Sequence, residues 1–183
     1  MTRCAMLLAG LAVAALAVGC GEGPEPPKAA PPAPAAGQAP DALVGALVGT
    51  EAPEIEAAYW LNSDPLTLQG LRGQIVVVEF WATWCPPCRQ TIPHLIELHT
   101  QYAGKGVVIV SLTDEPKETV APFVKEMGMP YAVGGGSKTG RAYGVQGIPS
   151  AAVIDPAGKV VWQGHPMGGL DAALAAQVKA AAK

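Results

Sequence analysis

Residues 80–89 read FWATWCPPCR. This stretch places Cys85 and Cys88, two of only four cysteines in the chain, three residues apart, with Pro86 and Pro87 between them and Trp84 immediately before. The run leading into it, residues 75–82 (IVVVEFWA), is continuously β-branched and aromatic after Gly73. That is the pattern of a strand buried on both faces in a sheet covered by helices. Behind it, Ile92, Leu95, Ile96, Leu98 and Tyr102 recur near helical spacing until Gly104 and Gly106 stop the pattern. The cysteines therefore lie where a buried strand hands over to a helix. A helix start offers free N–H groups and the positive end of a dipole, both of which stabilise a thiolate at the first cysteine. Cys85 is expected to be a nucleophile, and Cys88, one turn further in, to attack a mixed disulfide at Cys85 and release the partner. Two other readings compete, a purely structural disulfide and half of a zinc site. Zinc normally takes four ligands and the chain has no second cysteine pair. His94, His99 and His165 read as surface, boundary or loop residues.

Working outward, residues 107–113 form a second buried run and residues 117–127 a second helical one. Strand, helix, strand, helix predicts a parallel core with right-handed crossovers. A short strand at 131–133, a loop at 134–136 and a short helix at 138–143 are expected next. Residues 151–154 and 160–163 flank Asp155-Pro156-Ala157-Gly158, a turn short enough for an antiparallel hairpin. An alanine-rich amphipathic helix over 170–182 closes the chain. The fold class is α/β, a central mixed sheet flanked by helices.

The front of the chain is of another kind. Residues 1–19 combine one positive charge at Arg3 with an apolar run over 5–18, shorter than the ~20 residues a membrane span needs. This predicts an export signal, with Cys4 in the part removed. Ala17, Val18 and Gly19 before Cys20, with Leu16 one place further back than usual, resemble the lipobox of bacterial lipoproteins, which implies lipid attachment at Cys20; an ordinary secreted protein cut nearby is the alternative. Residues 21–40 hold seven prolines and no aromatic or β-branched residue, so residues 20–48 read as a tether and residues 49–183 as one domain. Net charge is −3 with scattered basic residues, which speaks against a nucleic-acid partner.

Trp84-Cys85-Pro86-Pro87-Cys88, the preceding Phe80-Trp81-Ala82, and Gly147-Ile148-Pro149-Ser150 resemble the thioredoxin superfamily, in particular the membrane-tethered bacterial thiol:disulfide oxidoreductases of the TlpA/ResA type. The resemblance spans residues 49–183 and implies a thioredoxin-like fold with an extra strand and helix over 115–136. It implies that Pro149 is a cis-proline beside the cysteines, that Pro93 shapes the active-site helix, and that Trp84, Pro86, Pro87, Ile148 and Pro149 form the docking surface. Trp81 is expected to pack against the sheet. Glu79, six residues before Cys85, matches the place of a buried acidic or amide residue that assists proton transfer to the second cysteine; burial would raise its pKa into a useful range, whereas a solvated or edge position would leave it an ordinary carboxylate. Thr91 stands where many members carry Glu, which weakens any transfer of a role in haem pathways. No cofactor is implied beyond the Cys85–Cys88 disulfide. The implied partners are thiols and disulfides of exported proteins and a membrane electron donor, in the cell envelope.

The expected direction is reductive, because Pro86 and Pro87 remove two N–H donors near Cys85 and so limit thiolate stabilisation. A copper carrier using the same two thiols is the non-enzymatic alternative. It fits less well, since copper-delivery proteins space their cysteines one residue wider and add a distant His. A peroxidase-like redoxin would want Pro and Thr or Ser where Val78 and Ala82 stand. Gly136-Ser137-Lys138-Thr139 reads as loop and not as a phosphate-binding motif.

Overall fold

The computed structural model describes residues 45–182. The expected signal segment, Cys4, Cys20 and all but the last residues of the expected tether lie outside them. Ordered packing begins slightly ahead of position 49: Leu47 rests against the core, and the Gly49 N–H donates to the Val160 carbonyl at 2.8 Å.

The elements run β1 (Tyr59–Leu61), β2 (Ile75–Phe80), α1 (Pro86–Tyr102), β3 (Val107–Leu112), α2 (Lys117–Met127), β4 (Ala132–Gly135), a single 3-10 turn at Thr139–Arg141, β5 (Ser150–Ile154), β6 (Val160–Gly164) and α3 (Leu170–Ala181). The strands form one mixed sheet in the order β1-β4-β3-β2-β5-β6. β2, β3 and β4 are parallel, while β1, β5 and β6 run antiparallel to their neighbours.

β2 is central and wholly buried, which explains its unbroken apolar run. Side chains alternate between the two faces of a strand. Ile75, Val77 and Trp81 meet Ile92, Leu95 and Leu98 of α1 and Leu170 and Leu174 of α3. Val76, Val78 and Phe80 face the other way, toward Leu71, Val110, Leu112 and Tyr143. Burying each of these large side chains contributes roughly 1.5–3 kcal/mol, so the strand that leads into the cysteines is firmly anchored.

Two differences from expectation share a cause. β1 carries no alternation in its three residues, and Gly134 and Gly135, expected in a loop, belong to β4. β1 pairs with β4 through Tyr59 opposite Gly135 and Trp60 opposite Gly134. A Cβ at Gly135 would overlap the Tyr59 ring, and one at Gly134 would come within 2.8 Å of the Ala57 and Leu112 side chains. These glycines admit aromatic rings close to the backbone; they do not break the strand. The extra helix and strand between β3 and β5 are α2 and β4. Among the described residues, no helix is long and apolar enough to cross a membrane.

Candidate active site

β2 ends at Phe80, and the Trp81 N–H still donates to the Leu112 carbonyl at 3.1 Å. The chain then turns, the Cys85 N–H donating to the Ala82 carbonyl at 3.2 Å, and Cys85 becomes the N-cap of α1. Pro86 and Pro87 fill the first helical positions, where a missing N–H breaks no helical bond and the fixed φ suits the helix. The first N–H inside the helix is therefore that of Cys88, and it donates to Cys85 Sγ at 3.2 Å. Cys85 and Cys88 are joined as a disulfide. Cys85 retains 2% exposure and Cys88 none, so only the first sulfur can be approached from outside.

The Ile148–Pro149 peptide bond is cis, and the Ile148 carbonyl oxygen lies 3.8 Å from Cys85 Sγ. Pro149 is buried, Ile148 partly so, and Pro86 and Pro87 are exposed. Trp84 is 68% exposed while Trp81 is 2% exposed and packs on Phe123 of α2, ring centres 5.5 Å apart. An open cleft of about 290 Å³ runs alongside, with Trp84, Phe80, Leu112 and Ile148 among its walls and Lys138 and Arg141 at its rim. Arg141 was not singled out in the sequence and Lys138 was read as part of a loop; the segment around the 3-10 turn brings both to the cleft.

Glu79 is 1% exposed. Alternation along β2 puts it with Val77 and Trp81 on the α1 side of the sheet, the side whose core includes both cysteines. Ser111 stands directly across on β3, and Tyr131 is close enough to feel the Glu79 charge. Glu79 Oε1, Ser111 Oγ and Tyr131 OH are all buried without a direct hydrogen-bond partner. Burial pushes the Glu79 pKa from 4.5 up to about 8, with the Ser111 hydroxyl pulling the other way. Burial, and then the Glu79 charge, push the Tyr131 phenol up as well.

Thr91 is buried, its hydroxyl donating to the Cys88 carbonyl at 2.8 Å. Pro93 lies inside α1. His94 Nε2 meets Asp171 of α3 at 3.1 Å, His99 stacks edge-on against Tyr131 at 6.1 Å, and His165 Nδ1 accepts the Met167 N–H at 3.2 Å. Ser137 and Thr139 are spent on local structure: the Ser137 N–H donates to the Thr113 carbonyl at 2.9 Å and the Glu56 N–H to Thr139 Oγ1 at 3.0 Å. Glu115 is a residue the sequence reading passed over. Its carboxylate accepts the Thr83 N–H at 2.6 Å and the Thr83 hydroxyl at 2.7 Å, and no spacing rule links positions 32 apart.

Residues 48–163 match the AhpC/TSA family. The chain is 39% identical over 119 residues to thiol-disulfide oxidoreductase ResA of Bacillus anthracis, covering 63% of this chain and 68% of that protein. It is also 39% identical over 126 residues to thiol:disulfide interchange protein HelX of Rhodobacter capsulatus, covering 67% and 70%. Among solved structures it resembles a DsbE-type thiol:disulfide interchange protein from Chlorobium tepidum, with a TM-score of 0.62, 26% identity, and coverage of 70% of this chain and 95% of that one. Val78 and Ala82, where a peroxidatic site would need Pro and a hydroxyl, are buried apolar side chains. With a thioredoxin-like sheet, a Cys-Pro-Pro-Cys disulfide at the head of its first long helix and these relatives, the chain belongs to the AhpC/TSA family, within which it is a thioredoxin-like thiol:disulfide oxidoreductase.

Proposed function

We propose that this oxidoreductase reduces disulfides of exported proteins from a lipid-anchored position in the bacterial cell envelope. One observation carries the chemistry: the Cys85 sulfur is the N-cap group that receives the Cys88 N–H and borders the Ile148 carbonyl, while Cys88 is sealed behind it. In the reduced protein the Cys85 thiolate attacks one sulfur of a partner disulfide, a new S–S bond forms, and the partner's other sulfur leaves as a thiolate that takes up a proton. Cys88 then loses its proton to the Glu79 carboxylate and attacks Cys85 Sγ. The mixed disulfide breaks, the second partner thiolate leaves, and the Cys85–Cys88 disulfide remains. Two electrons have passed to the partner, and a membrane electron donor bearing a dithiol must restore them. A carboxyl group titrating near 8 is suited to take and return that proton close to neutral pH. Trp84, Pro86, Pro87, Ile148 and Pro149 receive the partner polypeptide, with the cleft beside them taking its flanking side chains.

Residues 1–19 serve as the export signal, Cys20 carries the lipid and residues 20–48 act as the tether that sets the domain off from the membrane. The reductive direction is supported by the single N–H donor at Cys85. The test is trapping with a disulfide-bonded exported polypeptide: Cys88→Ser should accumulate a mixed disulfide through Cys85, and Cys85→Ser should accumulate none. A mixed disulfide through Cys88 would overturn the assignment. Incorporation of labelled fatty acid, lost in Cys20→Ser, tests the anchor; incorporation unchanged by that variant would remove it.

A further inference from the structure

Every polar group of Thr83, in the turn between β2 and α1, is taken by a charged side chain from elsewhere in the fold. Its N–H and its hydroxyl donate to the two oxygens of Glu115 at 2.6 and 2.7 Å, and its carbonyl accepts from Arg89 Nε at 2.8 Å. Glu115 is itself secured. The Thr113 hydroxyl donates to its carboxylate at 3.2 Å, and its carbonyl accepts the Tyr59 hydroxyl at 2.9 Å and the Gly136 N–H at 3.1 Å. The Arg89 guanidinium sits 5.0 Å over the Phe123 ring, which in turn meets Trp81. The segment between β3 and β5 thus grips the active-site turn from two directions.

We infer that Glu115 is a positioning residue that holds the Thr83-to-Cys85 turn in place when the Cys85–Cys88 bond is open. While the disulfide is closed, Cys85 is tied covalently to the interior of α1. Two electrons and two protons convert that bond to two thiols, and the tie is gone. Trp84 is too exposed to anchor the turn by burial, so beside the Cys85 N–H bond to the Ala82 carbonyl the side-chain hydrogen bonds on Thr83 fix it. Bonds to an ionised acceptor are the short, strong kind. A closed disulfide already orders the turn, whereas in the open form part of the bonds' free energy goes into ordering it, so their loss falls harder on the oxidised form than on the reduced one. An interaction that favours the oxidised form lowers the midpoint potential, so removing it makes the disulfide easier to reduce.

The inference rests on Cys85 and Cys88 being the redox pair. Deleting the Glu115 charge also acts directly on the Cys85 thiolate, in the same sense, so the comparison is between two neutral variants. Glu115→Gln keeps a carbonyl oxygen for the Thr83 N–H; Glu115→Ala keeps nothing. The full chain and both variants are equilibrated against dithiothreitol, and the oxidised and reduced forms of each are unfolded in urea. Relative to Glu115→Gln, Glu115→Ala should favour the dithiol by about tenfold in the equilibrium constant, ~30 mV for a two-electron couple, and its oxidised form should lose more stability than its reduced form. Coincidence of the two variants in equilibrium constant, or equal loss in both forms, overturns the inference. If Glu115→Ala does not fold, Thr83→Val removes only the hydroxyl bond, leaves all charges, and should shift the wild-type equilibrium in the same direction by a smaller factor; no shift overturns it. A wild-type disulfide that never equilibrates with dithiothreitol would instead bring down the redox reading beneath it.

Discussion

Pro86 and Pro87 determine how much help the Cys85 sulfur receives. A helix start ordinarily turns several N–H groups toward its N-cap side chain. Here two are absent by covalent structure, and the Cys88 N–H at 3.2 Å is the donor that remains, together with the helix dipole. Cys85 should therefore titrate below the ~8.5 of a free thiol without approaching the lowest values known for such motifs, and Cys88, with no exposure, should titrate above Cys85. Thiolate absorbance against pH in single-cysteine variants measures both, and a Cys85 pKa at or above that of Cys88 would reverse the assignment of nucleophile. Changing Pro87 to Ala adds an N–H in the first turn and should lower the Cys85 pKa further. Glu79 bears on the other half of the reaction. Glu79→Gln preserves shape and removes titration, so attack by Cys85 should proceed at nearly the wild-type rate while release of the mixed disulfide slows at least several-fold near pH 7. Stopped-flow resolution of the two steps separates them, and unchanged release would make Glu79 a structural group.

At the scale of elements, what the sequence announced was whatever depends on local pattern. The unbroken apolar run of β2, the proline-rich start of α1 and the turn between β5 and β6 each state their conformation within a few residues. What it left unsaid depends on partners distant in the chain. β1 is a strand because β4 pairs with it, and Gly134 and Gly135 look like a loop until the rings of Tyr59 and Trp60 are laid across them. The same division runs through the site. Cys85, Cys88 and the Ile148–Pro149 segment were legible from two short motifs, whereas Glu115, Lys138 and Arg141 reach the turn or its cleft only through the fold. The edge pairing gives a direct test. Gly135→Ala forces the Tyr59 ring away from β4 and should destabilise the domain by roughly 1–3 kcal/mol, the usual consequence of overpacking a filled site. Urea unfolding of the variant measures it; an unchanged midpoint would mean that the ring moves aside freely. Pairing the change with Tyr59→Ala should recover part of the loss, because the clash disappears with the ring.

For the molecule as a whole, the feature with the longest reach is a carboxyl group in the middle of a two-sided sheet. Glu79 lies on the central strand with helices over its face, and the groups nearest it are the hydroxyls of Ser111 and Tyr131 and not a cation. Burial raises its pKa in the folded protein from 4.5 to about 8. In the unfolded chain it ionises near the ordinary value. Between those two values the folded state holds a proton that the unfolded state has released, so stability falls as pH rises. The contribution is intact below the unfolded pKa and is lost progressively up to the folded one. Each pH unit within that window is worth about 1.4 kcal/mol for a single proton, enough in total to be a substantial part of a domain's ordinary stability. Other groups titrate over the same range, but they are common to wild type and Glu79→Gln, so the difference between the two isolates Glu79. Near pH 5 the two proteins should be of similar stability, because a neutral acid and an amide fill the site alike. As pH approaches 8 the wild type should fall steadily behind, and above that the gap should stop widening. Urea unfolding of both oxidised proteins at pH 5, 6, 7, 8 and 9 measures the curve. Parallel stabilities across the series would show that Glu79 ionises as an ordinary carboxylate, and both its buried neutral state and its use as a proton carrier near pH 7 would have to be abandoned.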